Sequence, residues 1–123
     1  EARLQIYQEI SLVYQISNLE HLKETYEDRF GKLPEPFLNL FKYQQIKILA
    51  FNIGVKNLNL NGKNCAIKFD FEVFGLTNLI KKLIEYDVKI NGNNIRIFGG
   101  INIDELYDFL NKIYELKSNL ITN

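Results

Sequence analysis

Side chains that could carry out chemistry are sparse in this chain of 123 residues. His21 is its one histidine and Cys65 its one cysteine, so nucleophilic triads and histidine-based zinc sites have almost no material. Cys65 lies in an alternating apolar run, and no cationic neighbour is evident that would lower its pKa. We interpret it as a small buried hydrophobe of a cytoplasmic protein, because one cysteine cannot form an internal disulfide.

Carboxylate pairs are the remaining candidates for catalysis. They are Glu27-Asp28, Asp70-Glu72 and Asp104-Glu105. Acid–base catalysis by two carboxylates requires surroundings that separate their two pKa values. These pairs fall at positions predicted to face solvent or to begin a helix, where negative charge is favourable in the first turn. We therefore predict that the chain is not an enzyme.

Glycines next to a helix could instead bind a phosphate. Gly99-Gly100 precedes the last predicted helix, but neither spacing of the nucleotide-binding loops is present. We interpret this pair as a turn between a strand and a helix. The sequence predicts no cofactor, no metal and no nucleotide site in this domain.

Charge and hydropathy restrict the partners. Fifteen basic residues balance fifteen acidic ones, and the pI is near 6.9. This balance argues against a nucleic-acid-binding domain, although it leaves room for a local patch. An accessory nucleic-acid contact remains the alternative hypothesis, and it would use Lys42, Lys47, Lys81, Lys82 and Lys112. No apolar stretch approaches the roughly 18 residues that a membrane span needs, so a cytoplasmic protein without membrane contact is predicted.

Apolar periodicity in the first half predicts three helices. The first covers Arg3–Ile16. The second has Ser17 as its N-cap, with Glu20 completing a capping box, and it ends at Gly31. The third begins with Pro36 at its first position, where the missing N–H has no cost, and it runs to about Asn52.

After Gly54 the apolar period changes from 3.6 to 2, which indicates strands. Asn61-Gly62 predicts a hairpin whose type I′ turn needs two positive φ angles. The predicted elements are strands Val55–Leu60 and Cys65–Phe71, a helix from about Leu76 to Tyr86, a second hairpin of Val88–Ile90 and Ile95–Phe98, and a last helix starting after Asn102 or Asp104. This order predicts an α+β fold with helices packed on one side of a small antiparallel sheet.

Length predicts one domain over residues 1–123. The chain contains no methionine and begins with Glu1-Ala2-Arg3-Leu4, already within a helical pattern. We therefore expect it to be a fragment that more protein precedes.

Two separated motifs resemble a known family. They are Arg3-Leu4-x-x-Tyr7 in the first helix and Glu27-Asp28-Arg29-Phe30-Gly31-Lys32-Leu33-Pro34 after the second, with Asn39-Leu40 in the third. The chain resembles the C-terminal domain of bacterial transcription-repair coupling factor, the Mfd family. The second half of the chain contributes to this resemblance through the order of its elements.

The resemblance implies a non-catalytic domain attached to an ATP-dependent DNA translocase that removes stalled RNA polymerase during nucleotide excision repair. ATP and magnesium would bind the motor domains of the parent protein. The domain itself would act as an autoinhibitory clamp, which packs against the N-terminal UvrB-like module of the same polypeptide and masks the surface that recruits UvrA.

Carried onto this sequence, the resemblance places polar partner contacts on Asp28 and Arg29. The family often has an acidic residue three positions before the Asp, where this chain has Thr25, and we predict that the neighbouring Glu24 and Glu27 complete the partner-binding edge. A purely structural interpretation stays open, in which Asp28 and Arg29 bridge helix ends. We expect Phe30 to be a core anchor, whether or not a partner binds.

Overall fold

The computed structural model describes residues 2–122, with side chains from residue 3 to residue 119. The chain folds into two compact units, one up to Ile48 and the other from Leu49 onward. The elements in order are α1 (Ala2–Ser11), α2 (Ile16–Phe30), α3 (Glu35–Ile53), β1 (Val55–Asn61), β2 (Asn64–Phe69), a 3₁₀ turn (Phe74–Leu76), α4 (Thr77–Lys81), β3 (Asp87–Asn91), β4 (Asn94–Phe98) and α5 (Ile103–Thr122). The predicted α+β class and the order of helices and hairpins are confirmed.

The first unit is helical, and its core joins all three of its helices. The fully buried members are Ile10, Leu19, Tyr26, Leu33, Phe41 and Ile48. Gln44 of α3 is the buried polar residue beside them, 3% exposed. Its Nε2 donates a hydrogen bond of 2.6 Å to the carbonyl of Val13, in the connection between α1 and α2. The buried amide of Gln44 needs such a partner, so this bond holds the connection in place.

The connection between α1 and α2 differs from the prediction. α1 ends at Ser11, because the N–H groups of Leu12 and Val13 bond three residues back instead of four. α2 then begins at Ile16 with Gln15 as its N-cap, and no side chain caps it. Ser17 lies inside the helix, so the predicted capping box was wrong. The hydrogen bond from Gln44 to the carbonyl of Val13 is a long-range contact, and it overrides the local capping signal of Ser17 and Glu20.

The other boundaries of the first unit lie close to the predicted ones. α2 ends before Gly31, whose N–H bonds to the carbonyl of Glu27, as predicted. α3 begins at Glu35, one residue before Pro36. Pro36 still lies in the first helical turn, where its missing N–H removes no hydrogen bond.

The second unit contains one antiparallel sheet with strand order β1-β2-β4-β3. Both predicted hairpins are present, and Ile67 of β2 faces Ile95 of β4 where the hairpins join. Alternate residues of these two strands are buried, while those between them are exposed, apart from the half-buried Phe98 at the end of β4. The sheet therefore has one face in the core and one open face.

The first hairpin turn was predicted one residue too early. The strands end at Asn61 and resume at Asn64, so Gly62 and Lys63 form the turn. Gly62 has a φ of 61°, and no residue other than glycine has a positive φ in the described chain. A two-residue turn with a positive φ only at its first central residue is of type II′, which has glycine at that position. The sequence had predicted a type I′ turn at Asn61-Gly62 instead.

The fourth helix is shorter than predicted. α4 ends at Lys81, and the N–H groups of Lys82 and Leu83 bond to carbonyls three residues back. Tyr86, predicted to be helical, instead donates a hydrogen bond from its hydroxyl to Glu105 of α5.

Strand β2 is also shorter than predicted, because it ends at Phe69 and not at Phe71. Apolar spacing alone did not show where the backbone must turn.

A capping box does occur at α5. The Oδ1 of Asn102 accepts a hydrogen bond of 2.8 Å from the N–H of Glu105, and the Oε1 of Glu105 accepts one from the N–H of Asn102. The predicted start after Asn102 is therefore confirmed.

Among the helices between residues 2 and 122, none combines the length and the apolar character that a membrane span requires.

Gly54 connects α3 to β1 at a crowded position. Its φ is 102°, and a Cβ built there would lie 2.8 Å from the Cγ of Asp70. The N–H of Asp70 bonds to the carbonyl of Gly54 at 2.7 Å and holds the two backbones together, so an added Cβ would force the exposed carboxylate of Asp70 to rotate away. A side chain at this position would therefore be both strained and in collision.

We predict that Gly54→Ala lowers the free energy of unfolding by about 2 to 4 kcal/mol, measured by urea denaturation. Gly62→Ala is the matched control, because Gly62 also has a positive φ but has no atom within 4 Å of the added Cβ. It should cost only about 1 kcal/mol. Equal losses in the two variants would show that the contact with Asp70 has no role.

Candidate functional site

The predicted acidic residues lie together on α2. Glu24, Glu27 and Asp28 are all exposed. Their spacings of three and four residues place them on one side of the helix. Leu19 and Tyr26 are buried on the other side, as the helical period of 3.6 residues requires. We call the surface formed by Glu24, Glu27 and Asp28 the acidic edge.

Among the described side chains, no intramolecular partner occupies the acidic edge. Within residues 3–119, the side chains of Glu24, Glu27 and Asp28 make no hydrogen bond and no ion pair. The structural interpretation, in which Asp28 bridges helix ends, therefore has no support in these residues. The three carboxylates instead face solvent as neighbours of the same sign, an arrangement that is mildly unfavourable in an isolated helix.

Arg29 does not belong to this edge. Its guanidinium lies over the ring of Phe30, 5.4 Å from the ring centroid. The helical period places it away from Glu24 and Asp28, on the flank that leads to the apolar side. Of the four predicted site residues, the structure brings the three acidic ones together and separates Arg29 from them.

Tyr26 fixes which side of α2 faces solvent. Its ring packs edge-on against Phe41 of α3, with centroids 6.3 Å apart. Its hydroxyl donates a hydrogen bond to a carboxylate oxygen of Glu9 in α1. Burial, together with this carboxylate, raises the pKa of Tyr26 to about 12. One side chain therefore joins α2 to both neighbouring helices.

An apolar groove of about 310 Å³ lies at the end of α2. Its lining residues are Arg3, Ile6, Tyr26, Phe30, Leu33, Pro34, Phe37 and Phe41. Phe30 is 55% exposed and forms part of the rim, so the expectation that it is a core anchor was wrong. Sequence reasoning missed the groove, yet the signal was present: Arg3 from one motif and Pro34 from the other both line it.

The lysines of the alternative hypothesis are divided between the two units. Lys42 and Lys47 belong to the first unit, and five residues of helix place them about 140° apart around α3. Lys81 and Lys82 are at the end of α4 and Lys112 is on α5, in the second unit. All five positions are exposed.

Cys65 is buried in β2, and burial raises the pKa of its thiol to about 11. This favours the protonated, unreactive form, in agreement with its interpretation as a small hydrophobe. Within residues 3–119, no group of three or more His, Cys, Asp or Glu side chains could hold a metal ion.

Fold and site together define a small α+β domain with an acidic helix edge beside an apolar groove. Residues 1–74 match the model of the TRCF domain family. The chain belongs to this family, which confirms the resemblance to transcription-repair coupling factor.

Individual relatives agree. The chain is 30% identical over 98 residues to the transcription-repair-coupling factor of Rickettsia bellii, and 29% identical over 99 residues to that of Rickettsia prowazekii. Each match covers 78% of this chain but 9% of the relative. A crystal structure of the C-terminal domain of transcription-repair coupling factor has the same fold, with a TM-score of 0.70 and 17% identity over 94% of this chain and 81% of that one.

We predict that Tyr26→Phe destabilises the chain by about 1 to 2 kcal/mol at pH 7, because a hydrogen bond to a carboxylate is lost. The raised pKa means that the folded state favours the neutral phenol. The stabilisation is therefore complete below the unfolded pKa of about 10 and disappears as pH rises toward 12.

Urea unfolding of the parent chain and the Tyr26→Phe variant at pH 7 and pH 11 tests this. The difference between the two should shrink at pH 11. Tyr86 contributes a further alkaline loss in both chains, since its hydrogen bond to Glu105 also raises its pKa. Tyr7→Phe, at an exposed tyrosine, is the control and should change little. A constant difference at both pH values would contradict the role of the Glu9 hydrogen bond.

Proposed function

We propose that this chain is a non-catalytic regulatory domain of a transcription-repair coupling factor. Its acidic edge contacts basic residues of the N-terminal UvrB-like module in the same polypeptide and masks the surface that recruits UvrA. The parent protein is then an ATP-dependent DNA translocase that acts on stalled RNA polymerase in nucleotide excision repair. ATP and magnesium bind the parent's motor domains and not this domain.

The observation that carries this proposal is the row of three exposed carboxylates, which have no partner among the side chains of residues 3–119. Neighbouring like charges on a helix cost a few tenths of a kcal/mol, and basic residues of a partner would remove that cost. The hydrogen bond from Tyr26 to Glu9 holds the row toward solvent, so little order has to be gained on binding.

The groove at the end of the same helix supplies an apolar component to the proposed contact. Interfaces draw most of their affinity from a few buried side chains, and charges around them determine specificity and association rate. Phe30 is exposed at the rim of a groove of about 310 Å³, which can take an apolar side chain of a partner. Exposed charge pairs contribute only about 0.2 to 1 kcal/mol each, so the contact can be released readily.

Calorimetric titration of this chain with the N-terminal module of the same polypeptide tests the contact. We predict that the double variant Glu24→Ala, Asp28→Ala weakens binding by roughly 2- to 30-fold at low salt, as two exposed pairs would. The difference should become smaller at high salt, because exposed charges are screened. Phe30→Ala should weaken binding at both salt concentrations.

Glu115→Ala is the matched control, since Glu115 is an exposed acidic residue on α5 in the second unit. It should bind as the parent chain does. In a second arm, the chain is added to a preformed complex of the module with UvrA, and we expect displacement of UvrA. Undiminished binding by the double variant would exclude the acidic edge, and unaltered UvrA binding would exclude masking.

A further inference from the structure

The open face of the sheet carries an uneven charge distribution. Lys68 on β2, Arg96 on β4 and Lys89 on β3 are all exposed on this face. The register places Lys89 directly opposite Arg96, and Lys68 opposite Asn94. Asp87, the first residue of β3, is the one acidic residue on this face within the described strands. We call this surface, centred on Lys68, Arg96 and Lys89, the cationic face.

Two cations directly opposite each other are unfavourable in an antiparallel pair. The Cβ atoms of such residues lie about 4.5 to 5.5 Å apart, and diagonal neighbours such as Lys68 and Arg96 about 7 to 8 Å. In the part of the chain that the structure describes, none of the three has an ion-pair partner. The Nζ of Lys89 lies 5.8 Å from the ring centroid of Phe98. A local cost of this kind is typical of a binding surface.

A shallow depression runs across β1, β2 and β4 on this face, with a volume of about 170 Å³. The polar side chains along it are Asn57, Asn59, Lys68, Asn94 and Arg96. Ala66 lies opposite both Asn59 and Arg96, so the longer side chains surround a low floor. The surface thus offers cations and amide groups to a ligand that can lie flat.

This composition distinguishes two kinds of anionic partner. A protein partner needs aromatic or aliphatic anchors at the centre of the contact. Phe98 is the one large apolar side chain on this face in the described strands, and Lys89 lies over it. Nucleic-acid interfaces are more polar and more positive, and their phosphates are bound mainly by Arg, Lys and Asn. The residues present match phosphates better than an acidic peptide.

We propose that the cationic face binds the phosphodiester backbone of nucleic acid without reading its bases. The lysines in the alternative hypothesis are different residues, and a net charge of zero does not prevent a local contact. Three cations imply weak binding with a slope of log affinity against log salt of roughly −2 to −3. The absence of free aromatic rings for base stacking on the described strands makes duplex binding at least equal to single-strand binding.

Fluorescence anisotropy of this chain with a labelled duplex of about 20 base pairs, and with one of its single strands, tests the proposal at low and moderate salt. The triple variant Lys68→Gln, Lys89→Gln, Arg96→Gln should bind at least about tenfold more weakly than the parent chain and lose most of the salt dependence. Ala66→Glu should act similarly, because it places a carboxylate at the centre of the face. Circular dichroism checks that both variants are folded.

The matched control is Lys81→Gln, Lys82→Gln, Lys112→Gln, which removes the same charge from other exposed positions of the second unit. It should keep affinity within about twofold. Equal losses in the two triple variants, or no binding of either DNA at low salt, would overturn the proposal. Binding of labelled poly-glutamate with higher affinity than DNA would overturn it in favour of an acidic protein segment. None of these outcomes depends on the contact with the UvrB-like module.

Discussion

The hydrogen bond between Tyr26 and Glu9 is the contact on which the candidate site depends. A helix with mixed surfaces can rotate about its axis unless a buried group fixes it. Tyr26 does this because its ring needs the apolar space beside Phe41, while its hydroxyl needs a polar partner, which Glu9 supplies. Rotation by one residue would turn the helix by about 100° and bring Glu27 toward the core. Burial of an unpaired carboxylate is costly, so the acidic edge and the core specify the same orientation.

A second constraint acts at the end of α3, within the second unit. The ammonium group of Lys117 donates a hydrogen bond of 2.6 Å to the carbonyl of Ile53 and lies 4.4 Å from the ring centroid of Phe71. A cation at this position satisfies a carbonyl that the helix leaves unpaired and also opposes the negative end of the helix dipole. Together with the bond between Gly54 and Asp70, it determines where β1 starts.

Local signals predicted much of this structure. The order of elements, the two hairpins and the start of α5 depend on periodicity, on turn residues and on the pairing of Asn102 with Glu105, all of which are short-range. The failures have a different origin. Ser17 matched a capping signal, but Gln44 binds the carbonyl of Val13 from 31 residues away. The junction of β2 with β4 and the groove beside Phe30 likewise require contacts between distant segments.

The candidate site was predicted only in part. Helical spacing alone places Glu24, Glu27 and Asp28 on one side, so their grouping was predictable from sequence. Arg29 is adjacent in sequence, but the same spacing turns it toward Phe30, which an argument from motif neighbours does not show.

The zero net charge conceals two surfaces of opposite sign. The acidic edge is on the first unit and the cationic face is on the second. Each surface is defined by three charges of one sign, and these cancel only in the net charge of the whole chain. Electrostatic recognition acts over about one Debye length, roughly 8 to 10 Å, so a partner responds to the surface it meets and not to the total. The acidic edge repels phosphates and the cationic face repels basic residues. Charge distribution alone therefore favours partners of opposite charge at the two surfaces, and a rise in ionic strength weakens the attraction at both.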